Sequence, residues 1–386
     1  MTERLFETDP TLRVFYAKVI SAGEMNGHCF AELDRTAFYP EGGGQPSDKG
    51  TLSKKKVLEV HEKNGRILHY LEEPISEGSY VEGRVDDDRR TDYTVQHSAE
   101  HIVSGLIHRR FGYDNVGFHM GAETVQIDFN GMLTEEDVFL IETLANEYVR
   151  RDIAPVIRFY DSEDDVEDDY RSKKELTGRV RIVEFPYADR CACCGTHVSR
   201  TGEIGLIKLI NLSKVRSGVR IELMAGKRAF DYLNRIYMEN RSVSRLLSAK
   251  PFETSSAVST LLNDRDSLKN RIIRLNRDNI GFLAASADPE KDIFMATDTY
   301  DPDYIRELTV ALMDKTTGTV LVAGGNDDTG YRYCLGKRDG NIRDLTTELN
   351  SLLSGRGGGK DAFFSQGSFK CTLEELEDAV KDRLEI

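Results

Sequence analysis

Two pairs of metal-capable side chains stand about ninety positions apart in this chain. His97 and His101 frame His97-Ser98-Ala99-Glu100-His101, and Cys193 and His197 frame Cys193-Cys194-Gly195-Thr196-His197. Both pairs have i, i+4 spacing, which on a helix puts two side chains on one face, a turn apart. Imidazole and thiolate are the donors zinc prefers, and two such pairs supply four ligands. Cys193 has the spacing to His197, and the Gly195-Thr196 turn would fold His197 back beside it. Cys191 and Cys194 form a rival Cys-x-x-Cys pair, which with His97 and His101 would close a structural Cys2His2 site. A second rival is the His-x-x-Glu-His pattern of one metallopeptidase group, with Glu100 as general base on the attacking water. That reading leaves Cys193 and His197 without a role. His108 returns to nearly the face of His97, but roughly 16 Å further along the helix axis, too far to share an ion.

The elements that must position these residues can be read in order. From residue 11 to about 86, short β-branched and aromatic runs alternate with turns, including the hairpin signals Asn26-Gly27 and Asn64-Gly65. They predict a small antiparallel β-barrel. Inside it, Gly42-Gly43-Gly44-Gln45 allows close backbone approach and positive φ. A helix carrying His97 and His101 is expected from Thr91 or Asp92 to Arg110, stopped by Gly112. A capping-box-like Thr134-Glu135-Glu136-Asp137 opens another helix. Strands are expected at 155–160, 180–185, 203–212 and 219–224. The region reads as a helix packed on a mostly antiparallel sheet, with the acidic run 161–169 as a solvated excursion.

Residues 227–283 read as helical, broken at Pro251. Leu261, Leu268, Leu275 and Phe282 repeat every seven residues, the pattern of a coiled-coil-like arm that packs within the chain or joins two chains as a homodimer. From about 291, strands and helices alternate around a glycine-rich loop, Gly355-Arg356-Gly357-Gly358-Gly359-Lys360, able to hold phosphate on backbone N–H groups. The fold expected is therefore α+β and multidomain. It has a β-barrel over 1–88, an α+β metal-binding domain over 89–226, a helical arm over 227–285 and an α/β domain over 286–386.

Hydrophobic residues are 39% and charged residues 31% of 386, the balance of a globular chain. No apolar run has the length of a membrane span, and Met1-Thr2-Glu3-Arg4-Leu5-Phe6 lacks the pattern of a signal peptide. Three of six cysteines crowd into 191–194, which suits a reducing compartment with metal or redox chemistry at one spot. A cytoplasmic protein without a membrane partner is expected. The net charge of -14 argues against broad nucleic-acid binding. Residues 200–230 run against that trend, with seven Lys and Arg facing only Glu203 and Glu222, so one face there could meet a polyanion.

The motif set resembles a known family. His97-Ser98-Ala99-Glu100-His101, Cys193-Cys194-Gly195-Thr196-His197 and Thr201-Gly202-Glu203-Ile204-Gly205 look like the editing domain of alanyl-tRNA synthetases. Phe38-Tyr39-Pro40-Glu41-Gly42-Gly43-Gly44-Gln45-Pro46 resembles the glycine-rich motif of the barrel before it, and the 355–360 run with Gln366-Gly367 resembles the C-terminal DHHA1-type domain. With the barrel starting at residue 11, no aminoacylation domain is expected ahead of it. The chain is thus similar to the long form of the free-standing AlaX-type editing proteins. Glu100 and the doubled Cys193-Cys194 depart from the family pattern, in which position 100 commonly holds a small or hydroxyl residue.

The resemblance implies a zinc-dependent hydrolase that deacylates tRNA(Ala) mischarged with serine or glycine. It implies one zinc per chain at His97, His101, Cys193 and His197, with Glu100 a bystander. Gly43, Gly44 and Gln45 would line the substrate pocket, Thr196 and Glu203 are candidate catalytic neighbours, and Arg356, Gly357, Gly358, Gly359 and Lys360 would contact tRNA. A non-catalytic, zinc-stabilised tRNA-binding module is the alternative.

Overall fold

A computed structural model describes residues 2–385 except 26, 168, 173–177 and 217. Asn26 of the first hairpin signal and Asp168 of the acidic run therefore lie outside the described residues. The architecture is mixed α+β with several sheets, and the chain divides into two compact units, 1–242 and 243–386.

In the first unit, β1 (Glu3–Arg4) leads into the one-turn helix α1 (Leu5–Thr8). Strands β2 (Val14–Met25), β3 (His28–Leu33), β4 (Arg35–Thr36), β5 (Gly50–Leu52), β6 (Lys55–Lys63), β7 (Arg66–Leu71) and β8 (Tyr80–Val85) follow. Six of them close into a barrel in the order β2-β3-β7-β6-β5-β8, while β1 pairs in parallel with β4. Alternation along β2 buries Phe15, Ala17 and Val19 against Phe38, Leu52 and Val57. The glycine-rich segment connects β4 to β5, at the barrel end beside the next helix.

That helix, α2 (Asp87–Phe111), starts four residues before the sequence suggests because Asp86 caps it, its side chain accepting from the Arg89 N–H. Gly112, at φ 72°, closes the other end with its N–H on His108 O, as expected. Every residue from Tyr93 to Gly105 is buried, so the helix is enclosed on all sides. Around it lie β9 (Asn115–Met120), β10 (Val125–Phe129), α3 (Glu135–Arg150), β11 (Val156–Tyr160), β12 (Val180–Phe185) and β13 (Asp189–Ala192). β14 (Ile207–Val215) and β15 (Gly218–Ala225) complete the layer. They form an antiparallel sheet β14-β15-β10-β9 and a second one β11-β12-β13. Ile102, Val103, Ile127, Phe129, Ile141 and Leu223 centre the shared core.

Arg90, in the first turn of α2, is fully buried. Its guanidinium donates to Asp48, to Ala37 O and to Pro10 O at 3.0 Å, while Asp48 also accepts from the Tyr39 N–H at 2.6 Å. This ion pair ties the histidine helix to the segment that carries the glycine turn.

His69 of β7 has no exposure, donates from Nδ1 to Ala31 O at 3.1 Å, and accepts at Nε2 from the Thr36 hydroxyl at 2.8 Å. Burial pushes its pKa down to about 4, against the donor bond to Ala31. The folded protein therefore resists a proton that the unfolded chain accepts at about 6.5. The stabilisation is present above pH 6.5 and is lost as pH falls towards 4, by about 3 kcal/mol at the acid end. Urea midpoints measured across that range should fall more steeply for the wild type than for His69→Asn; equal slopes would remove His69 as the cause.

The second unit takes in the end of α4 (Gly226–Leu246), then α5 (Thr254–Ala285) and the strands β16 (Ile293–Thr297), β17 (Val320–Asn326) and β18 (Gly330–Gly336). α6 (Pro302–Met313) lies between β16 and β17, and α7 (Arg343–Leu352), β19 (Arg356–Gly358), β20 (Phe364–Phe369) and α8 (Leu373–Lys381) follow. The sheet order is β16-β17-β18-β20-β19, with only β16 and β17 parallel. Period-two alternation in β17 covers both faces: Val320 and Val322 pack with α6, Leu321 and Ala323 with α7 and α8. α5 packs through Ile280 and Ala284 in its last turns. Its heptad residues Leu261, Leu268, Leu275 and Phe282 are all more than half exposed.

Two sequence expectations change. The glycine-rich run 355–360 is not a free loop: Arg356–Gly358 is an edge strand paired with Gln366–Ser368. Residues 203–206 are not strand, because Thr201–Ile204 forms a 3-10 turn and β14 starts at Ile207.

Candidate metal and substrate site

The two pairs meet in the first unit. One ligand atom from each of His97, His101, Cys193 and His197 lies within 4.8 Å of the others. Cys193 Sγ is 3.5 Å from His97 Nε2 and 3.8 Å from His197 Nε2. The three imidazole centroids stand 4.8–5.2 Å apart. Only the first pair is helical. Cys193 and His197 lie on the turn after β13, and Gly195 allows its tightness, since a Cβ there would fall 2.1 Å from His97 Cε1.

Each helical histidine is oriented from behind. Gln45 Oε1 accepts from His97 Nδ1–H at 2.8 Å. The amide is itself fixed, because Thr196 N donates to that same oxygen and Gln45 Nε2 donates to Thr196 Oγ1 at 3.0 Å. Asp189 Oδ2 accepts from His101 Nδ1–H at 2.7 Å, and Arg171 grips the same carboxylate at 2.7 and 2.9 Å. Both rings therefore turn Nε2 towards the cluster. A carboxylate or amide behind a histidine is the usual outer partner of a metal ligand.

Electrostatics separates the three thiols. Burial alone would raise Cys193, but the imidazoles of His97, His101 and His197 hold it well below the usual thiol range, which favours the thiolate. Cys191, buried beside Asp189, is pushed far up, and Cys194, exposed and next to Cys193, is raised less. Burial opposes a charge on His101, yet Cys193 and Asp189 lift it to about 10, while burial takes His197 down to about 3. A dication can satisfy this negative demand by displacing the His101 proton.

The donor set fits a metal. It is buried, offers three imidazoles and one thiolate, and leaves His197 Nδ1 with no hydrogen-bond partner among the described residues. A second group, His101, Asp189 and Cys191, also lies within 4.8 Å. Its Asp189 is already engaged by His101 and Arg171, and its thiol is held protonated, so it is the poorer cage.

A cavity of about 460 Å³ opens on the cluster. Its walls include Tyr39, Gly43 and Gly44 from the barrel segment, Phe118 from β9, and Cys193. Phe118 stacks on His97 at 5.4 Å. Gly44 sits at φ 85°, and a Cβ there would meet Phe118 Cδ1 at 2.4 Å, so the barrel turn can approach only as glycine.

Other sequence candidates fall differently. Gln45 is buried behind His97 rather than on the cavity wall. Thr196 is also fully buried, its hydroxyl 2.8 Å from that of Thr94. Glu203 is exposed and accepts from the Ser199 and Arg200 N–H groups, capping its own turn. Glu100 borders the cavity but accepts from Ser104 and Asn115. His108 pairs with Asp114 at 3.0 Å, outside the cluster. Of the seven basic residues of 200–230, five meet acids: Arg200 with Asp152, Lys208 with Glu142, Arg220 with Asp128, Lys227 with Asp231 and Arg228 with Asp92. The free positive face expected there is largely neutralised.

In the second unit, Arg356 borders a cleft of about 410 Å³ with Tyr300, Arg332 and Gln366, where Arg332 lies 4.6 Å over the Tyr300 ring. Lys360 O accepts from Arg343. Asp189, Arg171, Thr94 and Arg181 carry no sequence signal. Asp189 and Thr94 matter through contacts 88 and 102 positions away, with His101 and Thr196.

Comparison with known proteins first defines a class. Residues 180–222 match the family described as threonyl and alanyl tRNA synthetase second additional domain, and residues 15–89 match tRNA synthetases class II (A). Two segments of the first unit thus resemble parts of tRNA synthetases. More narrowly, the chain is similar along its whole length to the alanyl-tRNA editing protein AlaX-L of Pyrococcus horikoshii, at 28% identity over all of this chain and 98% of that one. The alanyl-tRNA editing protein Aarsd1-B of Xenopus laevis is 26% identical over 92% of this chain and 89% of its own. An alanine–tRNA ligase of Ignicoccus hospitalis is 30% identical over 97% of this chain, which spans 42% of that ligase. The resemblance drawn from the motifs to AlaX-type editing proteins is borne out.

Proposed function

We propose that the chain is a zinc-dependent hydrolase that clears serine or glycine from mischarged tRNA(Ala), with one zinc held by His97, His101, Cys193 and His197. The observation that carries this is the cavity of about 460 Å³ walled by His97, His101 and Cys193, with His197 completing the four-donor cluster behind them. The whole-length similarity to proteins named for alanyl-tRNA editing supplies the substrate class. When bound, zinc would act as a Lewis acid towards the substrate or the attacking water.

The chain's own residues do the rest. Gln45 and Asp189 hold the two helical imidazoles in one tautomer. Gly43 and Gly44 present backbone to the cavity, and Tyr39 and Phe118 narrow it, which favours a small aminoacyl group. Water adds to the ester carbonyl, the carbonyl carbon–ribose oxygen bond breaks, and the amino acid leaves from a tRNA with a free 3′-hydroxyl. An aminoacyl ester is activated, so modest polarisation and a positioned water suffice. Thr196 supports this by fixing the Gln45 amide, and Glu203 by holding the turn after the ligand loop.

The parts 1–88, 89–226, 227–285 and 286–386 would serve as barrel, deacylase, arm and tRNA-holding domain. Arg356, Gly357, Gly358, Gly359 and Lys360 would meet the tRNA body, and the exposed heptad face of α5 would join two chains. The cytoplasm is where charged tRNA would be met.

Four protein donors also suit a closed, structural metal in a non-catalytic tRNA-binding module. His101→Ala separates the two readings. Loss of turnover with retained fold and tRNA binding supports the hydrolase, and unfolding supports the structural metal.

A further inference from the structure

Arg181 of β12 lines the same cavity and is 4% exposed. Its Nη1 donates to Cys193 O at 2.8 Å and to Gly195 O at 3.0 Å, and Cys193 N donates back to Arg181 O at 3.0 Å. One edge of the guanidinium thus braces the loop that carries Cys193. The other edge is idle: Nε and Nη2 are closed to water and have no hydrogen-bond partner among the described residues. Every other buried cation discussed above is matched. Arg90 faces Asp48 and Arg171 faces Asp189, whereas Arg181 meets two neutral carbonyls. Two adjacent N–H groups of a guanidinium form a flat fork that suits an oxygen acceptor carrying negative charge. Leaving charged donors unmatched in a dry wall is costly unless a ligand brings the acceptor.

We infer that Arg181 is a substrate-binding residue, whose Nε–H and Nη2–H receive an oxygen of the aminoacylated 3′-terminal nucleotide. This rests on the hydrolase reading for the identity of the ligand. The bracing bonds to Cys193 and Gly195 would couple that contact to the ligand loop, so an engaged substrate oxygen lies close to the metal-binding thiolate. Two oxygens share this chemistry, the ester carbonyl and the terminal phosphate.

Binding by calorimetry tests the inference without turnover. The probes are 3′-amide-linked seryl-adenosine, which cannot be hydrolysed as an ester, and its 5′-phosphate. Wild type, Arg181→Gln and Arg181→Lys are compared after metal loading, with metal content measured on each. The expected result is unchanged metal content and a Kd about 10- to 100-fold weaker in Arg181→Gln. Lysine, which lacks the fork, should recover only part of that loss. Equal weakening for both probes places the aminoacyl carbonyl oxygen on Arg181, and weakening of the phosphorylated probe alone places the phosphate there. The inference is overturned if wild type binds neither probe, if Arg181→Gln binds both as wild type does, or if both variants lose metal and so show a brace only. Failure of the hydrolase reading would show separately, as wild type that binds the probes but leaves Ser-tRNA(Ala) intact.

Discussion

Cys193→Ala is expected to lose metal and hydrolysis together, while Cys191→Ala and Cys194→Ala keep both. Cys193 is the thiol that faces three imidazoles, which hold it well below the usual thiol range, whereas both its neighbours are raised above that range. Removing it takes away the negative charge among the four donors and leaves three imidazoles, one of which His101 shares with Asp189. Loss of an outer-sphere partner already costs a site about 10- to 100-fold in affinity, so loss of a direct thiolate should exceed about 100-fold. Metal content after dialysis against a weak chelator reads this directly. Stoichiometric metal in Cys193→Ala would assign the site elsewhere, and loss in Cys191→Ala would favour the His101, Asp189 and Cys191 group.

Arg90→Met should be the most destabilising single change in the first unit. Arg90 and Asp48 are both essentially unexposed, and the arginine also satisfies Pro10 O and Ala37 O. Methionine fills much of the volume but leaves a buried carboxylate without its cation, a loss of about 3–5 kcal/mol. The Asp48→Asn, Arg90→Met pair should recover part of it, because the stranded charge is then gone. Chemical unfolding of the wild type and the two variants checks the ordering. The expected functional consequence is indirect. Asp48 bonds the Tyr39 N–H, so the glycine turn against Phe118 and His97 should loosen before the ligand cluster does. A shift below about 1 kcal/mol would mean that the pair contributes little beyond a hydrophobic isostere.

The ligand pairs could be read from spacing because both are local, four residues apart, and the helix that carries His97 and His101 announces itself through Gly112. The barrel showed itself in short alternating strands, and α5 in its heptads. What escaped the sequence depends on contacts over long separations. Asp189 lies 88 positions from His101, and Gln45 lies 52 from His97. Gln45 was expected to line the pocket; instead its amide stands behind the histidine, where a short polar side chain can bond both His97 and Thr196. The run 355–360 hid its strand because glycine has little intrinsic preference for a sheet, and its pairing comes from β20. Glu203 carries a motif position, yet its carboxylate is spent on the N–H groups of its own turn. The basic excess of 200–230 was mostly paired for a related reason, since charge counts along a chain ignore acids contributed by α2, α3 and β10.

The most direct test of the central claim is release of serine from Ser-tRNA(Ala) by one preparation in three states: zinc-loaded, chelator-treated and zinc-restored. Serine release that disappears with the metal and returns with it, at one zinc per chain, is the predicted result. An intact ester in the zinc-loaded state, or an equal rate after chelation, would contradict it.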